Sequence, residues 1–203
     1  VLEFAFIVLT CILNNQIMRY GGEVALAVFG VVLTCSGMFQ HIFAGVGQAI
    51  QPIVTTNYGA GQIKRIVYLR CISEWTVIGM GVCFMLLGVL FPTQITRFFV
   101  EATPEVLEAA PTIMRIYFIS FLFMGINIWA TFYFQSIMRT RTSTVLTALR
   151  GIVVSAVLLY LLPLWLGING VWWAMVFTEG IVTVITLLCI AHTKREMQKE
   201  GTL

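Results

Sequence analysis

Residues Gly45–Gly61 read GVGQAIQPIVTTNYGAG. The stretch closes a long apolar run and places Gln48, Gln51, Pro52, Asn57 and Tyr58 where a helix leaves a membrane. Gln48 and Gln51 are three apart, so they share a helix face. Gly45 and Gly47 permit close helix contact or a bend. Pro52 removes a backbone donor and frees a carbonyl about one turn back. Two readings fit. Either the bend offers unpaired backbone and amide groups to a substrate, or acts as a hinge; or it is a packing kink whose glutamines cap the freed carbonyls.

The surroundings of that stretch set its solvent. Of the 203 residues 59% are hydrophobic and only 10% charged, with a mean hydropathy of +0.94. A soluble domain usually carries about 25% charged residues and could not cover itself with so few. The chain is therefore read as an all-α polytopic membrane protein whose partner is the lipid bilayer. Six apolar spans are expected: 1–17, 24–56, 72–91, 111–138, 149–166 and 171–191. Their apolarity is continuous rather than alternating, which argues for helices and against a barrel. Thr103, Pro104 and Glu105 resemble an N-cap and N1 proline, predicting a short surface helix before the fourth span. The chain opens inside an apolar run, Val1-Leu2-Glu3-Phe4, and is read as a piece of a longer polypeptide.

Charge sets the expected orientation. Nine of the twelve basic residues fall after spans two, four and six, among them Lys64, Arg65, Arg139, Arg141, Arg150, Lys194 and Arg195. That side is expected to be cytoplasmic, with the C-terminus there. The net charge of +3 is spread between spans, so no nucleic-acid partner is implied. Five scattered cysteines show neither disulfide nor metal-ligand spacing and read as packing residues, with no structural metal site. No nucleophile–base pair or phosphate loop points to an enzyme.

Polar residues inside spans each ask for a reason. Glu3 is either a coupling-ion or proton site or an interfacial carboxylate at the cytoplasmic end. Glu179, about one-third into the last span, is the second candidate carboxylate. Asn127 either ligates a cation or bonds across helices. Asn14 points into the bundle or ends the first span beside Asn15 and Gln16, which are expected to meet headgroups or water. His41 relays protons or bonds a neighbouring helix. Trp129 sits deep and is a candidate cavity wall, whereas Trp165, Trp172 and Trp173 suit an interfacial belt. Glu74 is expected to pair with Arg70 at the surface, and Arg115 to snorkel or pair with Glu108.

Four segments resemble the multidrug and toxic compound extrusion (MATE) family, specifically its C-terminal half. Gln48–Gly61 is similar to the family's second-lobe signature, where helix eight enters a cytoplasmic loop. Tyr20–Ala27, YGGEVALA, resembles the outer turn between helices seven and eight. Tyr133–Ile137, YFQSI, resembles the end of helix ten. Leu149–Val171, with Arg150, Pro163, Gly167 and Gly170, resembles helix eleven and its turn into helix twelve. The resemblance implies that residues 1–203 form one six-helix lobe of a two-lobed transporter, the N-terminal lobe lying outside this sequence. It implies a central cavity between parallel lobes, export of amphipathic or cationic small molecules across a bacterial inner membrane, and a sodium ion or proton as coupling ion, with no other cofactor. Glu3 matches an acidic position on helix seven linked to cation binding. The aspartate some members carry on helix ten is absent; Asn127 is the nearest polar residue.

Gln48, Gln51, Pro52, Asn14, His41 and Trp129 are thus candidate cavity or hinge residues, and Glu3, Glu179 and Asn127 candidate coupling residues. Two other functions remain open: a lipid-linked oligosaccharide or lipid flippase of the same superfamily, and a non-transporting truncated membrane subunit.

Overall fold

The computed structural model describes residues 2–100 and 103–200, with side chains described for 7–100 and 103–197. Among the described residues the backbone is helical apart from short turns. α1 spans Leu2–Gly59, α2 Ile63–Leu90, α3 Pro92–Phe99 and α4 Pro104–Ser136. They are followed by α5 (Thr140–Ala148), a π-helical turn (Leu149–Val153), α6 (Val154–Leu161), α7 (Pro163–Leu166) and α8 (Ile168–Glu200). Among the described residues, five stretches are long and apolar enough to cross a membrane: Ile7–Gly59, Ile63–Leu90, Pro104–Ser136, Thr140–Leu166 and Ile168–Met197.

α1 is too long for one crossing. At about 1.5 Å per residue a helix of that length far exceeds the ~30 Å hydrocarbon core. Gly22 divides it into two legs, with φ 67° and ψ −163° inside an otherwise helical backbone. That left-handed φ favours glycine, which has no Cβ to clash. Gly21 beside it meets a different demand: a Cβ there would lie 2.7 Å from Ile168 at the start of α8. Counting both legs, five long helices supply six crossings, as the apolar pattern predicts.

The break lies at Gly22 and not at Pro52. α1 runs through Pro52 with helical backbone and ends only at Gly59. Asn57 Nδ2 and Thr56 Oγ1 donate to the Ile53 and Pro52 carbonyls, at 2.7 and 2.9 Å. Gly61, at φ 66°, then turns the chain into α2. The expected surface helix before the fourth span is instead the first turn of α4. Thr103 caps it, accepting from the Val106 N–H at 3.4 Å. A separate short helix, α3, precedes it, with Pro92 in its first turn.

α4 is the axis of the bundle and packs against α1, α2 and α8. Phe118, Phe121, Trp129 and Phe134 are buried along it. Phe39 of α1 stacks on Phe84 of α2, with ring centroids 3.9 Å apart, and meets Phe121 edge-on at 5.1 Å. Small residues allow this approach, as is usual between helices in lipid, where packing substitutes for a hydrophobic drive. A Cβ on Gly88 would lie 1.8 Å from the Phe118 ring, and one on Gly81 would lie 2.9 Å from the Phe121 carbonyl oxygen.

The helix ends alternate. Thr55 Oγ1 donates to the Ser136 carbonyl at 3.3 Å, joining the end of α1 to the end of α4. Arg139 pairs with Glu196 of α8, which also lies 3.5 Å from His192. At the opposite end Gly21 meets Ile168, and Arg115 Nε donates to the Val89 carbonyl at 3.3 Å. Arg115 is exposed, as snorkelling requires, and its Nε also holds α2 to α4 through a backbone acceptor.

Gly88→Ala is expected to destabilise the protein by about 1–3 kcal/mol through overpacking against Phe118. Gly79→Ala, on the same helix with nothing within 4 Å of its Cβ position, is expected to leave it unchanged. Thermal unfolding in detergent, compared across the pair, checks this.

Candidate functional site

A buried carboxylate organises the interior. Glu179 lies on the first half of α8 and is 1% exposed. Its Oε1 accepts from Arg150 Nε at 2.6 Å, and its Oε2 accepts from Asn127 Nδ2 at 2.7 Å. The same Nδ2 donates to the Glu179 carbonyl at 3.0 Å. Asn127 Oδ1 accepts from Thr183 and Thr186, each at 3.2 Å. Three elements therefore meet at one charge: α4 through Asn127, the π-helical turn through Arg150, and α8 through Glu179 and the threonines.

Local sequence explains each placement. Glu179, Thr183 and Thr186 repeat at i, i+4 and i+7, so α8 shows them on one face. Thr131 donates to the Asn127 carbonyl at 3.0 Å, tying that stretch of α4 one turn along. Arg150 projects from the π-helical turn, a local widening of the kind that recurs at functional positions. By charge count the arginine groups with the cytoplasmic loop cations, at the edge of the fifth span; it lies well inside the fifth long helix with its side chain 14% exposed. The signal that could have found it was the need itself: an acid in the middle of a membrane helix demands a cation on a neighbouring one.

A cavity of about 20 Å³ adjoins the pair, lined by Thr10, Gln40, Tyr117, Arg150 and Glu179 among others. Such a volume has room for about one water molecule. Its walls come from both legs of α1, α4, the π-helical turn and α8.

A second polar feature lies on the surface of α1. Thr34, His41, Gln48 and Thr55 repeat every seventh residue along its second leg, and all four are exposed. Gly30, Gly45 and Pro52 share that exposed side. Met38 and Ile42 are exposed among them, so the face is mixed; α2 and α6 expose mostly large apolar groups, such as Ile72, Trp75, Leu86 and Leu87 on α2 and Val157, Tyr160 and Leu161 on α6. Large apolar side chains suit lipid; small and polar ones at the same depth do not.

The other candidates separate on this map. Asn14 and Gln48 are exposed and Gln51 is half-buried, each on α1. Pro52 is exposed within unbroken helix. Gln16 is 4% exposed, in contrast to the expected contact with headgroups. Trp129 is fully buried; it donates to Ser73 Oγ at 2.9 Å and stacks on Tyr133, so it fastens α4 to α2 rather than walling an open cavity. Trp172 is also buried, with its ring centroid 6.2 Å from that of Phe29, and Trp165 is exposed. Arg70 and Glu74 pair at 2.7 Å, both largely shielded rather than at the surface. Cys11, Cys71 and Cys83 face outward rather than packing the core. The Glu3 side chain lies outside the described residues.

Asn127→Leu strips Glu179 of a donor and leaves two threonine hydroxyls without their acceptor. It is expected to cost about 1–3 kcal/mol, read as a lower midpoint of thermal unfolding. Thr34→Leu, on the exposed face of α1, is expected to leave that midpoint unchanged.

Comparison with known proteins gives a consistent picture. The MatE family profile matches residues 1–161. The multidrug export protein MepA of Staphylococcus aureus (strain bovine RF122 / ET3-1) is 21% identical over 183 residues, covering 89% of this chain and 40% of the relative. The chain thus spans about 40% of the length of the curated relatives it matches. Among solved structures, an outward-facing multidrug resistance MATE family transporter of the MOP superfamily superimposes with a TM-score of 0.89 at 16% identity, over 97% of this chain and 44% of that one. An inward-facing structure of such a transporter gives 0.89 at 17% identity, over 98% and 46%. With a family match over most of its length and the same helical architecture in three dimensions, this chain belongs to the MatE family of transporters.

Proposed function

We propose that this chain is the C-terminal six-helix lobe of a multidrug efflux antiporter, driven by a sodium or proton gradient and working by alternating access. The polar stripe Thr34–His41–Gln48–Thr55 carries the reading. Those residues lie about 32 Å apart end to end at 1.5 Å per residue, so the stripe runs the depth of the hydrocarbon core. Thr34 and Thr55 donate to the Gly30 and Ser136 carbonyls, but lipid offers no partner to the His41 ring or the Gln48 amide. A water-filled cavity shared with a second lobe satisfies them. Gln51 borders the stripe, and Asn14 is a further exposed amide on the first leg.

On this reading amphipathic or cationic compounds enter the cavity between lobes and leave on the opposite side after the lobes rock. A coupling cation shifts the equilibrium only through differential affinity for the two states. Glu3, on the first leg of α1, is the carboxylate proposed to supply it. Glu179 is already matched by Arg150. The basic end of the bundle, with Lys64, Arg65, Arg139, Arg141, Lys194 and Arg195, is proposed to face the cytoplasm of a bacterial inner membrane. The MepA relatives, named as multidrug export proteins, support the substrate class. A flippase would hold lipid phosphates with unmatched cations in its cavity; inside the described bundle Arg150 has its charge matched by Glu179.

In the full-length polypeptide, Glu3→Gln is expected to abolish cation-driven efflux of ethidium-type dyes from cells while leaving expression unchanged. Gln48→Leu is expected to alter the dye concentration at half-maximal efflux without lowering thermal stability. Normal efflux in Glu3→Gln would remove that carboxylate from the mechanism.

A further inference from the structure

The interior charge pair has a consequence for which cations this lobe admits. A buried carboxylate surrounded by amide and hydroxyl groups is what a hard cation needs, because such ions bind oxygen donors. Glu179 offers the carboxylate, with Thr10 and Gln40 lining the same small cavity; Asn127 turns its Nδ2 to the carboxylate and its Oδ1 to Thr183 and Thr186. Yet Arg150 Nε stands 2.6 Å from Oε1, and the remaining space, about 20 Å³, has room for about one water.

We propose that Arg150 is a specificity-determining residue: its guanidinium is a tethered counter-ion that keeps sodium off Glu179. The inference rests on the cation-coupled reading above, and deepens it by assigning the occupant of one carboxylate. Three physical points carry it. The guanidinium stays charged at every relevant pH, so it cannot be discharged to make way. It makes a charge-assisted hydrogen bond with fixed direction. Being part of the same chain, it competes with free ions at an effective concentration that sodium in solution has to exceed. The π-helical turn at Leu149–Val153 sets the start of this side chain, and Asn127 holds the carboxylate from the far side.

The same arrangement predicts what removal of the arginine would create. With the side chain shortened or neutral, Glu179 keeps the Thr10 and Gln40 side chains beside its cavity and gains the vacated volume. A sodium ion is then the simplest replacement for the lost charge.

The test is sodium-dependent thermal stability of the purified full-length polypeptide that carries this chain, at constant ionic strength with choline as the replacement cation. Wild type and Glu179→Gln are expected to share the same sodium response, whatever other sites contribute. Arg150→Gln is expected to gain an added response, with a sodium midpoint lower by about tenfold or more, equivalent to about 1.4 kcal/mol. Arg150→Gln combined with Glu179→Gln is expected to lose that gain. Arg150→Lys, which keeps a charge but not the planar fork, serves if Arg150→Gln does not fold, and a smaller gain in the same direction is expected. A wild-type sodium response that Glu179→Gln removes overturns the proposal. So does a folded Arg150 variant with no gain over wild type. The readout is binding, not efflux: failure of the export reading leaves this result standing, and normal efflux without a sodium gain removes only this inference.

Discussion

A carboxylate cannot sit alone in the middle of a lipid-embedded bundle, and the interior of this protein is arranged around meeting that demand for Glu179. An unpaired buried charge costs several kcal/mol, and removing one member of such a pair typically costs about 3–5 kcal/mol. Here the match is made by groups from three separate helical elements. Arg150 brings the π-helical turn to α8, Asn127 brings α4, and two threonines of α8 orient the Asn127 amide. A buried pair is weak evidence for stability compared with a well-packed apolar alternative. Its effect is on registry: sliding or rotating any one of these elements breaks charge-assisted bonds that lipid cannot replace.

The remainder of the bundle reinforces the same rigidity by packing. α4 is covered on several sides, and the glycines of α2 let its backbone close onto Phe118 and Phe121. The Phe39–Phe84–Phe121 cluster joins α1, α2 and α4 midway along them. Trp129 spends its polar tip on Ser73, so even the largest core side chain leaves no donor unpartnered. Such a unit is suited to move as one body. Large transitions then fall on its edges, as in rigid-body and hinge transitions of packed domains.

Much of this was readable in the sequence, and the failures share a cause. Continuous apolarity fixed the number of crossings because every span must satisfy its backbone internally. Gly21-Gly22 between two apolar runs marked the turn, and Thr103-Pro104 the start of α4. Pairing across helices was not readable, since a single chain carries no record of which faces meet. Arg150 was therefore counted by its neighbours in sequence, Arg139 and Arg141, as a loop cation, when its partner lay twenty-nine residues ahead. The acceptors of Arg115 and Trp129, the Val89 carbonyl and Ser73, are hidden from the sequence for the same reason: both belong to α2. Pro52 is a different case: a membrane helix tolerates a missing donor without breaking, and α1 runs through Pro52 to Gly59.

Polar groups thus occupy two contrasting environments in one bundle. Around Glu179 they are closed off and mutually satisfied; along the second leg of α1 they are open. The difference decides what each can contribute to a transport cycle. A group whose bonds are the same in every state shifts no equilibrium, however strong those bonds are. The Arg150–Glu179–Asn127 network lies within one packed body, so in the proposed rocking motion it would keep the same bonds and supply shape rather than drive. The exposed stripe of Thr34, His41, Gln48 and Thr55 faces whatever adjoins this body, and its contacts change whenever the neighbour changes. On the proposed transport reading, differential free energy would then arise on that face of α1, or on the first leg that precedes it, while the interior ion pair keeps the face in place.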